Sequence, residues 1–271
     1  MIGTVRTVSS LQDEGLDLYR TMRRPILHRR QGLFVAEGEK VAGRLLESDL
    51  AVISVLMTPD HLQRRQELLE NRPEPITVLV AEKKLLEEIV GFECHQGIMA
   101  VGRVPETVPL ETFAAQGLPP RLLVATDHLT SAENTGVLVR NCAAFGASGL
   151  ITGETSADPW LRRSVRNSMG TIFRLAVLYA GNLPESLRML RADHGFRIQA
   201  AHPHDGGRSI YETDFSGDCC IVFGNEGEGI SPAVLDACDE TVAVPMAKGV
   251  DSLNVACASA AILSEWFRRK Y

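Results

Sequence analysis

Short apolar runs alternate with amphipathic stretches along most of the chain, and this alternation restricts the fold more than any other feature. It is clearest near the end, where the run Cys219–Phe223 precedes a glycine-rich turn, a second short run and a helix of small residues. Strands that alternate with helices indicate a parallel sheet covered on both faces. Such sheets bind ligands beyond the carboxyl ends of their strands, so we expect a site at the loops 224–229 and 246–254.

The same alternation predicts two domains. A helix over 11–31, followed by alternating strands and helices, indicates a small α/β domain over 1–104. Residues 105–119 contain several prolines without a clear period and are predicted to be a linker. Strands and helices alternate again over 120–271, which predicts an α/β domain with a parallel sheet.

Composition excludes several classes of protein. The chain has 271 residues, 45% of them hydrophobic and 23% charged, which is ordinary for a globular protein. No apolar run approaches the roughly 20 residues that a membrane-spanning helix needs, and the first residues lack the apolar core of a signal peptide. We therefore expect a cytoplasmic protein without a membrane partner.

The six cysteines form no CxxC pair and no cluster with histidine at the spacing of a metal site. Most of them lie in apolar surroundings, which is typical of buried free thiols. The sequence therefore predicts no metal centre.

Basic residues are concentrated in two stretches, although the formal net charge is −6. One runs from Arg20 to Arg30, and the other, from Arg162 to Arg174, contains no acid. A negative chain disfavours a nucleic-acid partner, but the distribution of charge matters more than its sum. Each stretch is either a solvent-exposed helix face or a surface that binds a phosphate backbone.

Two loops after predicted strands carry the residues of a binding site. The glycines of GNEGEG (224–229) let the backbone approach a ligand, but Glu226 and Glu228 favour an uncharged or positively charged ligand over a phosphate. The spacing also differs from the GxGxxG of dinucleotide folds. In PMAKGVDSLNVA (245–256), Ser252 and Asn254 precede a helix, where Ser252 could be only an N-cap.

A third loop, ENTGVLVR (133–140), leads into a helix after another strand. A lone arginine on a helix is usually a surface charge, but Arg140 follows a strand end, where site residues lie. Asn134 and Gly136 stand at the entrance to the same helix.

Together these loops resemble a known set of motifs. Asn134-x-Gly136-x-x-x-Arg140, Gly224-x-Glu226-Gly227-x-Gly229 and Pro245-Met246 followed by Ser252-Leu253-Asn254 are similar, in order and spacing, to the signature motifs of the SpoU (TrmH-type) RNA 2′-O-ribose methyltransferases of the SPOUT superfamily. The resemblance covers roughly residues 120–270. It extends more weakly to RRQGLFVAEG and HQGIMAV, which look like the family's substrate-binding domain. Ser131-Ala132 stands where many relatives carry Asp-Pro, which puts substrate detail in doubt more than the reaction.

The resemblance implies a fold and an activity. The fold is α/β, with a C-terminal parallel-sheet SPOUT domain that contains a trefoil knot over 120–271 and a small α/β RNA substrate-binding domain over 1–104. The activity is methyl transfer from S-adenosyl-L-methionine to a ribose 2′-hydroxyl of ribosomal or transfer RNA. The family acts as a homodimer and needs no metal.

The resemblance also assigns roles to residues. Cofactor-binding residues are expected in the two C-terminal loops: Gly224, Val244, Met246 and Leu253. Glu226, Ser252 and Asn254 are expected to orient the loops and the methyl-transfer centre, and Asn134 is expected to fix the position of Arg140. The arginines expected to bind the RNA backbone are Arg23, Arg24, Arg29, Arg30, Arg163 and Arg166.

Arg140 is the residue expected to be catalytic. An arginine is a poor base because its pKa stays above about 12. We therefore expect Arg140 to hold a phosphate and stabilise the developing alkoxide.

Two other classes of protein stay open. One is an RNA-binding module that keeps the fold without the reaction. The other is an oxidoreductase with a nucleotide cofactor, which the absence of the GxGxxG fingerprint disfavours.

Overall fold

The structure, a computed structural model, describes residues 2–91, 96–203 and 207–270. The chain forms two compact units, Met1–Glu106 with Trp160–Phe173 and Thr107–Pro159 with Arg174–Tyr271. Cys94, one of the six cysteines, and His95, the first residue of the segment HQGIMAV, lie outside the described residues.

The first unit contains a mixed five-stranded sheet. Its strands are β1 (Ile2–Thr7), β2 (Leu33–Glu37), β3 (Val52–Met57), β4 (Ile76–Val80) and β5 (Ile98–Arg103), in the order β1-β4-β3-β5-β2. β1, β4 and β3 are parallel, whereas β5 runs antiparallel to both β3 and β2. Its helices are α1 (Asp17–Arg20), α2 (Pro25–Arg30), α3 (Glu39–Leu46), α4 (Pro59–Glu70) and α5 (Lys83–Val90).

The prediction of one helix over 11–31 is wrong. The structure has two short helices, α1 and α2, on either side of a turn at 21–24. Proline lacks a backbone N–H, so Pro25 can begin α2 but cannot continue α1. The sequence analysis also missed β1, whose residues are mostly exposed and therefore show little apolar alternation.

The segment Trp160–Phe173 packs within the first unit although its sequence lies far from residues 1–106. The Phe34 ring lies 4.7 Å from the ring of Trp160 and 5.5 Å from that of Phe173, centroid to centroid. A Cβ on Gly102 would come within 2.5 Å of the Phe34 ring, so glycine leaves room for this aromatic cluster. The segment forms α8 (Arg162–Asn167) and a 3₁₀ helix, Thr171–Arg174.

The second unit contains a seven-stranded sheet in which every strand pair is parallel. Its strands are β6 (Leu122–Thr126), β7 (Gly149–Thr152), β8 (Ala176–Tyr179), β9 (Arg197–Ala201), β10 (Arg208–Ser209), β11 (Cys219–Phe223) and β12 (Glu240–Ala243), in the order β10-β12-β9-β11-β6-β7-β8. Its helices are α6 (Leu110–Ala114), α7 (Ala132–Ala144), α9 (Leu183–His194), α10 (Pro232–Leu235) and α11 (Val255–Lys270).

Two neighbouring interior strands of this sheet, β6 and β11, are buried along their whole length. Strands covered on both faces are continuous apolar runs, so the sequence analysis found both of them. It missed β10, which has only two residues, and α6, which lies in the predicted linker and buries Phe113. In the part of the chain that the structure describes, no helix is long and apolar enough to cross a membrane.

Candidate active site

The carboxyl ends of β9, β11 and β6 lie at one edge of the sheet because the three strands are parallel neighbours. The register pairs Phe223 with Thr126 on one side and with Ala201 on the other. The loops that follow these strands therefore begin next to one another, although β6 and β11 are far apart in sequence. This edge is where the sequence analysis placed the site.

The loop after β11 is a tight turn built around Asn225. The backbone N–H groups of Asn225 and Gly229 each donate to the other's carbonyl oxygen, at 2.8 and 3.0 Å. The Asn225 side-chain oxygen accepts from the N–H groups of Gly227 (2.8 Å) and Glu228 (3.1 Å). A Cβ on Gly224 would lie 2.4 Å from the carbonyl carbon of Gly229, so only glycine fits at 224.

Both ends of this turn are tied to the residues after β6. Asn225 Nδ2 donates to the carbonyl oxygen of His128 at 2.8 Å, and the N–H of Ser231 donates to Asp127 Oδ2 at 2.7 Å. His128 has a φ of 53°, in the left-handed region that non-glycine residues rarely adopt.

The sequence analysis missed Asp127, His128 and Asn225. Their position directly after buried strands is the signal that could have found them.

The three motifs meet through side-chain amides. Asn134 Nδ2 donates to Glu226 Oε1 at 2.6 Å, and Asn254 Nδ2 donates to Asn134 Oδ1 at 3.3 Å. Asn134 is held in turn by the Ser131 side chain, which caps α7 and accepts from the Asn134 N–H at 3.2 Å. The structure thus brings together three of the predicted site residues from widely separated parts of the chain.

The last helix is capped by Asn254, whose side-chain oxygen accepts from the Ala256 N–H at 2.9 Å. The alternative in which Ser252 is only the N-cap is therefore wrong. α11 packs against α7, where Asn141 Nδ2 donates to the carbonyl oxygen of Ala256 and to Ser259 Oγ, both at 2.9 Å. Asn254 consequently links the start of α11 to the entrance of α7.

A cavity of about 280 Å³ lies at the carboxyl ends of the central strands. All four predicted cofactor-binding residues line it: Gly224, Val244, Met246 and Leu253. Glu226 and Ser252 line it as well. Three further lining residues have ionisable side chains: Glu228, which the sequence analysis named for its negative charge, Asp251 in the second loop, and His202, which the sequence analysis missed.

Arg140 does not join this cluster. Its side chain is exposed on α7 and makes no hydrogen bond or ion pair with any residue in the described ranges. At 3.6 residues per turn, a residue six positions after Asn134 is rotated by roughly 240° around the helix. Arg140 therefore lies on a different face of α7 from Asn134 and Asn141, and it is free to meet a ligand outside the chain.

The predicted RNA-binding arginines differ in their surroundings. The buried carboxylate of Glu37, at the end of β2, binds Arg162 and also Arg166 at 3.2 Å. Arg23 donates to the carbonyl oxygen of Val90. Arg24, Arg29, Arg30 and Arg163 are exposed. The second basic stretch, which has no acid within its sequence, is thus partly neutralised by an acid from β2.

The thiols are not arranged for catalysis. Cys142, Cys219 and Cys220 are buried, and burial raises the pKa of the Cys142 and Cys219 thiols to about 12. Cys257 is exposed and departs from the predicted pattern. Across residues 2–91, 96–203 and 207–270, no group of three or more His, Cys, Asp or Glu residues could hold a metal ion.

A parallel sheet with a cavity at its strand ends, lined by acidic residues and by a glycine-rich turn, is typical of a cofactor-binding α/β enzyme. The model of the SpoU rRNA Methylase family matches residues 121–264. An "Uncharacterized tRNA/rRNA methyltransferase" of Mycobacterium tuberculosis is 31% identical over 264 residues, which are 94% of this chain and 89% of that protein.

Two solved structures are similar over nearly the whole chain. The SpoU methyltransferase AviRb from Streptomyces viridochromogenes, in complex with AdoMet, is 26% identical with a TM-score of 0.80 and covers 96% of this chain and 98% of its own. An rRNA methyltransferase from Sinorhizobium meliloti has a TM-score of 0.85 at 23% identity and covers 98% of this chain and 99% of its own. The second likeness concerns the fold alone.

The chain belongs to the SpoU rRNA methylase family. It is an S-adenosylmethionine-dependent RNA methyltransferase that acts on a ribose 2′-hydroxyl, as the sequence analysis predicted. The prediction of an α/β fold with a parallel C-terminal sheet is confirmed, and the trefoil knot stays a prediction.

Proposed function

We propose that the loops 224–229 and 246–254 hold S-adenosylmethionine in the cavity, that Asn134, Glu226, Ser252 and Asn254 form the methyl-transfer centre, and that the exposed Arg140 acts on the bound ribosomal or transfer RNA. The observation that carries this assignment is the chain of hydrogen bonds from Asn254 through Asn134 to Glu226, beside the cavity. It joins the three loops at one edge of the sheet.

The residues of the cavity suit this cofactor. Apolar side chains of Val244, Met246 and Leu253 offer contacts for an adenine ring, and the turn at Gly224 keeps its backbone open to a ligand. The carboxylates of Glu226 and Glu228 suit a positively charged ligand. Backbone groups of Gly224, Val244 and Leu253 would hold the adenosine end.

When bound, the cofactor would supply an electrophilic methyl group: a C–O bond to the 2′-oxygen would replace the S–C bond, whose electron pair would stay on sulfur, and the hydroxyl proton would pass to solvent water. This chain contributes mainly position, because a displacement needs the reacting atoms aligned. Asn134, held by Glu226 and Asn254, fixes the start of α7. Ser252 lies in the loop that borders the cavity.

Arg140 would act on the RNA. Its exposed guanidinium can bind a backbone phosphate and stabilise the negative charge that develops on the 2′-oxygen. A role as base is disfavoured, because an arginine side chain is a poor base.

The first unit would bind RNA, as the weaker resemblance of residues 1–104 implies. Arg24, Arg29, Arg30 and Arg163 are exposed and would contact phosphates, as would Arg23. Arg166 would contribute less, because Glu37 already binds it. If phosphate contacts dominate, RNA affinity falls steeply as salt is raised, and a flat response would contradict this assignment.

A homodimer is proposed from apolar residues left exposed in the second unit. Val250, Leu253 and Phe267 expose 48%, 40% and 37% of their surface, and all three lie on or just before α11. Light scattering coupled to size exclusion would give twice the chain mass. A monomer at micromolar concentration would contradict the proposal.

An RNA substrate is the reason to expect the reaction in the cytoplasm.

The proposal is tested by calorimetry and by mapping. Titration of S-adenosylmethionine should give saturable binding, and 2′-O-methylation mapping in cells with and without the gene should reveal one lost site. Binding of RNA without binding of the cofactor would favour the alternative, an RNA-binding module without the reaction.

A further inference from the structure

Charge is unevenly distributed around the cavity. Glu226, Glu228 and Asp251 are among its lining residues, and within the described part of the chain no lysine or arginine is. A wall with unbalanced negative charge stabilises a cationic ligand relative to a neutral ligand of the same shape.

Two of these carboxylates have no partner that offsets their charge. Glu226 accepts a hydrogen bond from Asn134 at 2.6 Å. The exposed side chains of Glu228 and Asp251 make no hydrogen bond or ion pair with any residue that the structure describes. The backbone of Glu228 is nevertheless fixed, because its N–H donates to Asn225 Oδ1. Its charge is therefore kept beside the cavity.

The cofactor and the product of the reaction differ by little more than one charge. S-adenosylmethionine carries a sulfonium, an ammonium and a carboxylate, which leaves a net charge of +1. S-adenosylhomocysteine carries a neutral thioether and has no net charge. The adenosine and amino-acid groups are the same, so contacts to those groups cannot separate the two molecules. Charge at the cavity wall can distinguish the two molecules.

We propose that Glu228 and Asp251 are specificity-determining residues that favour S-adenosylmethionine over S-adenosylhomocysteine. This inference rests on the proposed function, because it takes the cavity as the cofactor site. Water and salt screen exposed charges, so each carboxylate should contribute about a threefold preference and the two together about tenfold. The preference lets fresh cofactor displace the product without a large excess.

The test is calorimetry with three ligands: S-adenosylmethionine, the cationic analogue sinefungin, and S-adenosylhomocysteine. The variants are Glu228→Gln, Asp251→Asn and the double variant. Matched controls are Glu185→Gln and Asp193→Asn, which neutralise carboxylates on α9 that do not line the cavity. In the double variant the Kd of both cationic ligands should rise about tenfold, and that of the neutral product less than twofold. The controls should change none of the three.

Equal weakening of all three ligands would mean that the substitutions alter the shape of the loops, and this would overturn the proposal. An unchanged ratio of the cationic to the neutral Kd would overturn it as well. Failure of the wild-type chain to bind S-adenosylmethionine at all would instead overturn the proposed function. Raising the salt concentration should weaken cofactor binding more in the wild type than in the double variant.

Discussion

Two polar clusters, one in each compact unit, use their side chains in opposite ways. In the first unit, the buried guanidinium of Arg72 donates to the carbonyl oxygens of Leu46 (3.1 Å) and Leu50 (2.5 Å) and binds Glu74. In the second unit, Asn134, Glu226 and Asn254 are incompletely buried and bind one another beside a cavity. Strong, buried polar networks thus hold loops together, whereas the site uses accessible groups that can still reach a ligand.

The largest effect is expected at Arg140, in the second unit. Arg140→Ala should lower the single-turnover rate of methyl transfer about 10²- to 10³-fold, because a group that stabilises developing charge is lost. The Kd of S-adenosylmethionine should not change, since Arg140 does not line the cavity. Arg140→Lys should recover only part of the rate. Near-normal turnover in the lysine variant would exclude a need for the planar guanidinium.

The next effect is expected at Arg72, in the first unit. Arg72→Ala should destabilise the protein by about 3 kcal/mol, because it leaves buried carbonyl groups and Glu74 without their donor. Urea unfolding measures the loss. Arg64→Ala is the control: it removes an exposed ion pair with Glu39 and should cost less than about 0.5 kcal/mol. Similar losses in both variants would contradict the comparison.

A smaller effect is expected at Asn225. Asn225→Ala removes the acceptor of two backbone N–H groups and the tie to His128, so the KM for the cofactor should rise about tenfold with little change in kcat. Asn182→Ala removes a comparable hydrogen bond, to the Glu185 N–H at the start of α9. It should cost about 1 kcal/mol of stability and leave the KM unchanged. A raised KM in both variants would show a general effect on folding.

The smallest effect is expected on stability, at Glu265 in the second half of α11. Hydrogen bonds from Arg268 and Arg269 lower the pKa of its carboxyl from 4.5 to about 2. A carboxyl whose pKa is lower in the folded state stabilises that state above the unfolded pKa, and the contribution is lost as pH falls through the folded value. The stability difference between wild type and Glu265→Gln should therefore be constant above pH 5 and shrink between pH 4.5 and 2. If the stability difference between the two proteins stayed constant down to pH 2, the lowered pKa of Glu265 would be contradicted.

Buried strands and their polar loops could be predicted from the sequence, because an apolar run such as β11 followed by glycines has few other interpretations. The three motifs indicated the family and the residues around the cavity. What the sequence could not supply was long-range pairing. β1 is a strand because it pairs with β4, whose residues lie far along the chain.

The roles of single polar residues were harder to predict. Asn is common in any turn, so the sequence could not reveal that Asn225 ties its loop to His128. The arginines of α8 form a basic cluster that contains no acid in sequence, yet Glu37 binds two of them. Nothing local to 160–173 indicates that this segment packs against β2.

The pairing of β6 with β11 has a consequence for biosynthesis. β6 leaves the ribosome about a hundred residues before β11, and Asn254 emerges later still. Contacts between such distant segments form slowly, because a long loop must close first. A nascent chain whose synthesis stalls before Asn254 can therefore form part of its sheet. It still lacks residues that complete the cavity for the cofactor.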